Sequence, residues 1–406
     1  MRHPPALFSL CAIPLFTGYV PATDRLPMHA PAAESSSKDG QKGSFRGEVV
    51  YLFAFDVGYE MKREPVQTLL GQPVAEFVVD ASKRGPRQLF FYRPQMVRLP
   101  ALERIGPRGA VRVERTVKLL PVGAISIAIR VPFQVDQLVD LVAYHDLSFS
   151  NGSLYDEVRQ LATEISRELR RYIVRPHEML AHEEAYTVFC LDVPPVEDEN
   201  PRAEEWLTAH RREVAALLNE EPDTAALSAQ EAEESTSRHL SYYGHDLVVV
   251  DWDAALLLDE PRHFAETIYL MELANLQLAE LEAYDRLLDD SMDRAYRDLR
   301  SRGLRSRSSV LSELRELRID LARLSDELSN ITKFFGDWHL ARIYQNLAAR
   351  FHLADWHHSI DEKLKTLDEL YGMLAQDRTN RIMLILEIAI VILFIVDVLM
   401  LFAHVK

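Results

Sequence analysis

The chain has 406 residues, 48% hydrophobic and 27% charged, a balance that excludes an intrinsically disordered protein and leaves room for two or three domains. A formal net charge of −16 speaks against a chain built mainly for nucleic-acid binding, and the acidity is concentrated, with thirteen acids against three arginines between Asp192 and Glu234. Two cysteines, Cys11 and Cys190, are too few for a disulfide framework or a zinc site, which suits a reducing compartment.

Residues 1–45 are expected to lie outside the fold. Arg2 and His3 precede an apolar run, Ala6 to Phe16, and Val20-Pro21-Ala22 has the small residues of a cleavage site, but Pro14 interrupts the run. A start codon placed too early, with Met28 as the true start, is the alternative. Met28 to Ser44 is rich in Ala, Pro, Ser, Gly and Lys, a composition that reads as disorder.

From Gly47 the pattern is α+β. Val49 to Val57 is a near-continuous β-rich apolar run, the mark of a strand buried on both faces. Gln88–Tyr92 is a second strand candidate. Val111–Leu119 and Ala124–Val131 read as a hairpin turning at Pro121-Val122-Gly123. In its second arm Ile125, Ile127, Ile129 and Val131 recur with the two-residue period of a half-buried strand. Helices are expected at Gln134–Tyr144, Tyr155–Tyr172 and Glu204–Leu218, with a short strand at Thr187–Val193. Residues 219–237 form an acidic insert, a loop or a solvated helix. Leu247–Val250 is a core strand bounded by Asp251-Trp252-Asp253. Ala254–Leu258 continues apolar, and Pro261 opens the next helix at a favoured first-turn position.

Residues 261–380 read as a helical stalk. Met271, Leu278, Leu281, Leu288, Met292 and Leu299 recur at sums of three and four. After Gly303, Val310, Leu314, Leu317, Leu321, Leu324, Leu328, Ile331 and Phe335 alternate by four and three, the heptad seam of a coiled coil. Gly336 ends that helix, and Asp337 can cap a short one bearing Leu340, Tyr344, Leu347 and Phe351. A last helix starts near Asp355 with Ile360, Leu364 and Leu367. Consecutive helices with short breaks pack antiparallel, as a hairpin.

Ile382 to Phe402 is expected to cross a membrane. The segment has no Gly, Pro or basic residue, and sixteen of its 21 residues are Ile, Leu, Val or Phe. At about 1.5 Å per residue it spans roughly 30 Å, the thickness of a hydrocarbon core. The apolar residues contribute roughly −5 to −10 kcal/mol to insertion, against at most about +5 to +7 for Glu387 and Asp397. Each acid sits five residues from an end, where its cost is smaller. Arg378 and Arg381 precede the span and Lys406 follows it, so the charge bias keeps the large N-terminal part in the cytoplasm, or an organelle's equivalent.

Three constellations invite chemistry. Asp251 and Asp253 alternate along an apparent strand, so both carboxylates fall on one face and could hold a divalent cation, with Asp56 closing in through the fold. The competing reading is a strand-end cap or turn. His339 and His357, each in an Asp-Trp-His string, could bind a metal with His358 between hairpin arms. Capping Asp residues and core-edge aromatics explain the strings as well. Arg294, Arg297, Arg300, Arg302, Arg305 and Arg307 form a basic cluster that could touch RNA or anionic lipid. Without a set of stacking aromatics, a solvated helix end is the better account. No Gly-rich phosphate loop, Ser-His-Asp signature or zinc-spaced Cys pair is present, and no cofactor beyond that cation is expected.

The order of parts resembles the Required for Meiotic Nuclear Division family, found in bacteria, fungi and mitochondria. The resemblance covers Gly47 to Phe402. It rests on an α+β domain, a Tyr-rich strand segment (Ser241-Tyr242-Tyr243), and a final helix from Ser359-Ile360-Asp361-Glu362-Lys363-Leu364 to Leu374 that leads into a span with an embedded acid, Glu387. The acidic insert and the N-terminal extension depart from it. The resemblance carries over no catalytic residues. It implies an often oligomeric inner-membrane protein facing cytoplasm or matrix, whose mitochondrial members support organelle translation as anchors.

The sequence therefore leads us to expect an α+β head (46–260), an antiparallel coiled-coil stalk (261–380) and one C-terminal transmembrane helix (382–402). The expected function is a membrane-tethered, self-associating scaffold, with the bilayer, a second copy and an unidentified protein as partners. Its expected location is the bacterial inner membrane, or the mitochondrial inner membrane in a eukaryote. A metal-dependent enzyme using Asp251 and Asp253 is the alternative.

Overall fold

The strand Phe45–Asp56 (β1) carries apolar side chains on both of its faces, and the rest of the fold follows from covering them. Val49, Tyr51, Phe53 and Phe55 point into one core, and Val50 and Leu52 into another. A strand with no polar face has to lie in the middle of a sheet between two layers. The computed structural model describes residues 45–77, 94–106, 109–149, 152–176, 183–192, 202–300, 319 and 338–404. All belong to one compact unit, Gly43–Lys406.

Among the described residues, eight further strands complete the main sheet. They are Ala75–Glu76 (β2), Gln95–Gly106 (β3), Gly109–Leu120 (β4), Ala124–Val135 (β5), Glu184–Asp192 (β6), His239–Leu240 (β7), Leu247–Val250 (β8) and Ala254–Asp259 (β9). Their order across the sheet is β7-β8-β9-β6-β1-β5-β4-β3-β2. Every neighbouring pair is antiparallel except β6 with β9. β1 sits between β6 (Gly47 opposite Leu191) and β5 (Phe45 opposite Val135). The β4–β5 turn falls at Pro121-Val122-Gly123, as the sequence indicates.

One face is covered by the helices Leu154–Leu169 (α1) and Ala203–Leu218 (α2) and by a 3-10 turn, Leu138–Tyr144. That turn is shorter than the expected helix Gln134–Tyr144, because β5 runs on to Val135. Ser153 caps α1 by accepting from the Asp156 N–H at 3.1 Å. Within the acidic insert lies a short helix, Ala229–Ser235 (α3), capped by Ser228.

The other face is covered by the helices read as a stalk: Phe264–Arg300 (α4), Trp338–Arg350 (α5) and the first part of Leu353–His404 (α6). Met271, Leu278, Leu281 and Leu288 of α4 share one buried cluster with Val188, Val248 and Leu257 of the sheet and with Ile343, Ile360 and Leu367 of α5 and α6. α4 and α6 pack together, and Lys363 Nζ lies 2.7 Å from both Asp285 Oδ1 and Asp289 Oδ1. A buried ion pair, Lys118 with Glu272, ties β4 to α4, and Ser126 Oγ donates to the same carboxylate at 2.6 Å. The heptad seam Leu314, Leu317, Leu321, Leu324 and Leu328 lies outside the described residues, as do the strand candidate Gln88–Tyr92 and residues 1–44.

The far part of α6 leaves the body. Ile382–Met400 has a mean hydropathy of 3.0 and stands outside the buried core, so among the described residues there is one helix long and apolar enough to cross a membrane.

Candidate functional site

Asp251-Trp252-Asp253 makes the tight turn between β8 and β9, closed by the Asp251 N–H donating to the Ala254 carbonyl at 2.9 Å. The two aspartates therefore belong to a hairpin turn rather than to the face of one strand. Tyr186 of β6 holds the turn from inside, its hydroxyl 3.1 Å from the carbonyl oxygens of both Asp251 and Ala254. Burial pushes this phenol well above its ordinary range, so it stays a neutral donor.

Asp251 is 3% exposed, while Trp252 and Asp253 are exposed. Oδ1 of Asp251 accepts from the Trp252 N–H and from Arg350 Nε, each at 2.8 Å, and from Arg350 Nη2. Oδ2 is buried and has no hydrogen-bond partner among the described residues. Such an unsatisfied acceptor costs about 1–3 kcal/mol.

Arg350 reaches the turn from the last residue of α5. The chain then passes through Phe351 and His352, where a φ of 50° ends the helix before α6 begins at Leu353. Phe351 packs edge-on to Tyr186 and His352 stacks on Trp252, both with ring centroids 5.1 Å apart. Arg350 Nη1 also lies 3.4 Å from Glu234 Oε1 on α3. Asn219, just past α2, donates to Ser235 Oγ at 2.6 Å and holds α3 in place. Beside it, Glu220 Oε1 lies 3.0 Å from Nδ1 of the buried His145.

These elements line an open-mouthed cavity of about 560 Å³. Five carboxylates line it, from Glu220, Glu231, Glu234, Asp251 and Asp253, against the single guanidinium of Arg350. Asp253 also acts on the adjoining strand. Glu184, the first residue of β6, is pushed up to about 7 by burial, with Glu282 and Asp253 adding repulsion.

The metal-ligand candidates separate in space. Asp253 joins Asp251 at the cavity, but Asp251 already holds Arg350 in the place a cation would take. Asp56 is bonded to its own turn through the Gly58 N–H at 3.2 Å. Among the described residues no group of three or more His, Cys, Asp or Glu side chains is placed to hold a metal ion. His339 lies 3.8 Å from Asp246 and tilts against Tyr242, while His358 pairs with Glu362 at 3.4 Å. His357 is half-buried and its pKa is lowered by that burial, with Asp361 opposing. Of the basic cluster, Arg294 folds back on Ser291 at 3.0 Å and Arg297 on the Asp293 carbonyl at 3.2 Å. Arg302, Arg305 and Arg307 lie outside the described residues. Sequence reasoning missed Arg350, Glu234 and Tyr186, none of which sits in a local pattern that marks it.

Fold and site together define a class: a large mixed sheet between helical layers, an acidic cavity at one end, and a membrane-length helix beyond. Residues 46–265, more than half of the chain and covering the main sheet except for the first residue of β1, match the family described as Uncharacterized protein MJ0711, N-terminal domain, and the chain belongs to that family. It is 23% identical over 280 residues to the uncharacterized protein MJ0711 of Methanocaldococcus jannaschii, covering 69% of this chain and 82% of that relative. That likeness is longer than the matched domain. The matched family carries a different description from the Required for Meiotic Nuclear Division family expected from the sequence, and that expectation is not confirmed. No solved structure matches the chain.

Proposed function

We propose that this protein is a membrane-tethered scaffold, held by the Ile382–Met400 helix and presenting the sheet domain with its acidic cavity on the cytoplasmic side of a bacterial inner membrane. The observation that carries this reading is the continuity of α6. One helix of 52 residues, about 80 Å long, starts beside Arg350 at the cavity wall and runs through the apolar segment. Arg378 and Arg381 before that segment, against Lys406 after it, favour the cytoplasmic side. The sequence resemblance to the Required for Meiotic Nuclear Division family implies an inner-membrane protein facing the cytoplasm or matrix, in accord with this reading. A scaffold also accords with a cavity whose best-placed carboxylate is neutralised by the protein's own arginine.

Self-association is part of the proposal, through the side of the span that bears Glu387 and Asp397. An acid facing lipid is costly, and a second copy offers it a partner. Changing both acids to Leu should weaken association of the span in a membrane two-hybrid assay, and unchanged association removes this contact. Orientation is tested by fusing alkaline phosphatase after Lys406 in a bacterial host. An active fusion supports the cytoplasmic body; an inactive one, with a green fluorescent protein at the same place fluorescing, reverses the topology.

A further inference from the structure

We propose that the cavity beside the β8–β9 turn is a binding site for an aliphatic oligoamine, a small ligand with two or more protonated amines joined by methylenes. This goes beyond the tethering role and does not depend on it.

The charge of the lining sets the sign of the ligand. Five carboxylates face one guanidinium, an imbalance that a ligand of several positive charges corrects. The volume of about 560 Å³ is that of a small-molecule site rather than a single-ion site.

A specific acceptor awaits a donor. Asp251 is 3% exposed, three donors converge on its Oδ1, and its buried Oδ2 has none among the described residues. A protonated primary amine brings three N–H donors and full charge, so one end of the ligand suits the β8–β9 turn, where the exposed Asp253 stands beside Asp251. Glu231 and Glu234 are exposed at the cavity, the latter with its Oε1 3.4 Å from Arg350 Nη1, and face the ligand's second charge.

A metal ion suits this lining less well. Ca²⁺ needs roughly six to eight oxygens in one shell, and Mg²⁺ a near-ideal octahedron. The described residues contain no cluster of that kind, and Arg350 occupies the oxygen a metal would use first. Carboxylates spread over a turn, a helix and a helix end match charges spread along a chain. The walls supply the apolar part: Leu218 lines the cavity, and Trp252, 48% exposed and stacked on His352, offers a flat face for methylenes and a cation–π contact.

The test is calorimetric titration of the full chain in detergent, at physiological salt, with 1,6-diaminohexane and with its fully N-methylated counterpart. The two ligands share charge and chain length, but the second has no N–H. The proposal expects saturable binding of the diamine at one site, roughly tenfold or more weaker binding of the methylated form, and a comparable loss in Glu231→Gln/Glu234→Gln. Both of those side chains are exposed, so that variant keeps the fold, and a thermal melt confirms it. Asp251→Asn should abolish binding. Equal affinity for both ligands reduces the site to unspecific charge screening and overturns the proposal. So does the absence of saturable heat, or Mg²⁺ or Ca²⁺ binding at this site more tightly than the diamine.

Discussion

Arg350 donates through Nε to Oδ1 of Asp251 at 2.8 Å, joining the end of α5 to the β8–β9 turn across 99 residues of chain. Both side chains are largely buried. Removing one partner of such a pair leaves an uncompensated charge and costs about 3–5 kcal/mol, whereas removing both costs far less. Arg350→Met should therefore lower Tm by roughly 10 °C, and Asp251→Asn/Arg350→Met should recover most of that loss. Differential scanning calorimetry of the two variants checks this. Additive losses would mean that the pair is not coupled.

Glu184 makes stability depend on pH. Its folded pKa of about 7 is raised from 4.5, first by burial and then by Glu282 and Asp253. Between those two values the folded state binds more protons than the unfolded state, so stability falls as pH rises from about 4.5 through about 7. Above that window the full penalty of a charged, part-buried carboxylate applies. Glu184→Gln should have a higher Tm than the parent at pH 8 and a smaller advantage at pH 5. A Tm difference that is the same at both pH values would remove Glu184 as the cause.

Gly123 closes the β4–β5 turn at a φ of +87°, and a Cβ built there would lie 1.9 Å from the Gly58 carbonyl oxygen. Strain and collision act together. Gly123→Ala should destabilise the fold by about 3 kcal/mol or more, read as a lowered denaturation midpoint. A midpoint within error of the parent would show that the turn can relax.

How far the sequence foretold these features depended on the range of the interaction. β1 and the Gly123 turn were legible because an unbroken apolar run and a Pro-Val-Gly corner are local signals. β3 was not legible, because Pro100 and the charges Arg98, Glu103 and Arg104 disguise its alternation, and its register shifts between Leu99 and Leu102. The spacing of Met271, Leu278, Leu281 and Leu288 showed correctly that one side of α4 is buried. It could not show what buries it, since a seam facing a sheet and one facing a partner helix have the same period. Likewise Asp251 stood out as a carboxylate beside a core strand, but its partner lies on another helix and leaves no trace near it in sequence. Glu234 is exposed on a helix of the acidic insert, as expected; what the sequence could not show is that Asn219 donating to Ser235 holds that helix against α2 and brings Glu234 beside Arg350.

The central claim is that the Ile382–Met400 helix anchors this protein. Fractionation of cells expressing the full chain, or a chain ending at Gln376, tests it most directly. The account predicts that the full chain stays in the membrane pellet through an alkaline carbonate wash and that the shortened chain, which keeps the part of α6 packed on α4, appears in the soluble fraction. A full chain released by carbonate, or a shortened chain that remains folded in the pellet, would contradict it.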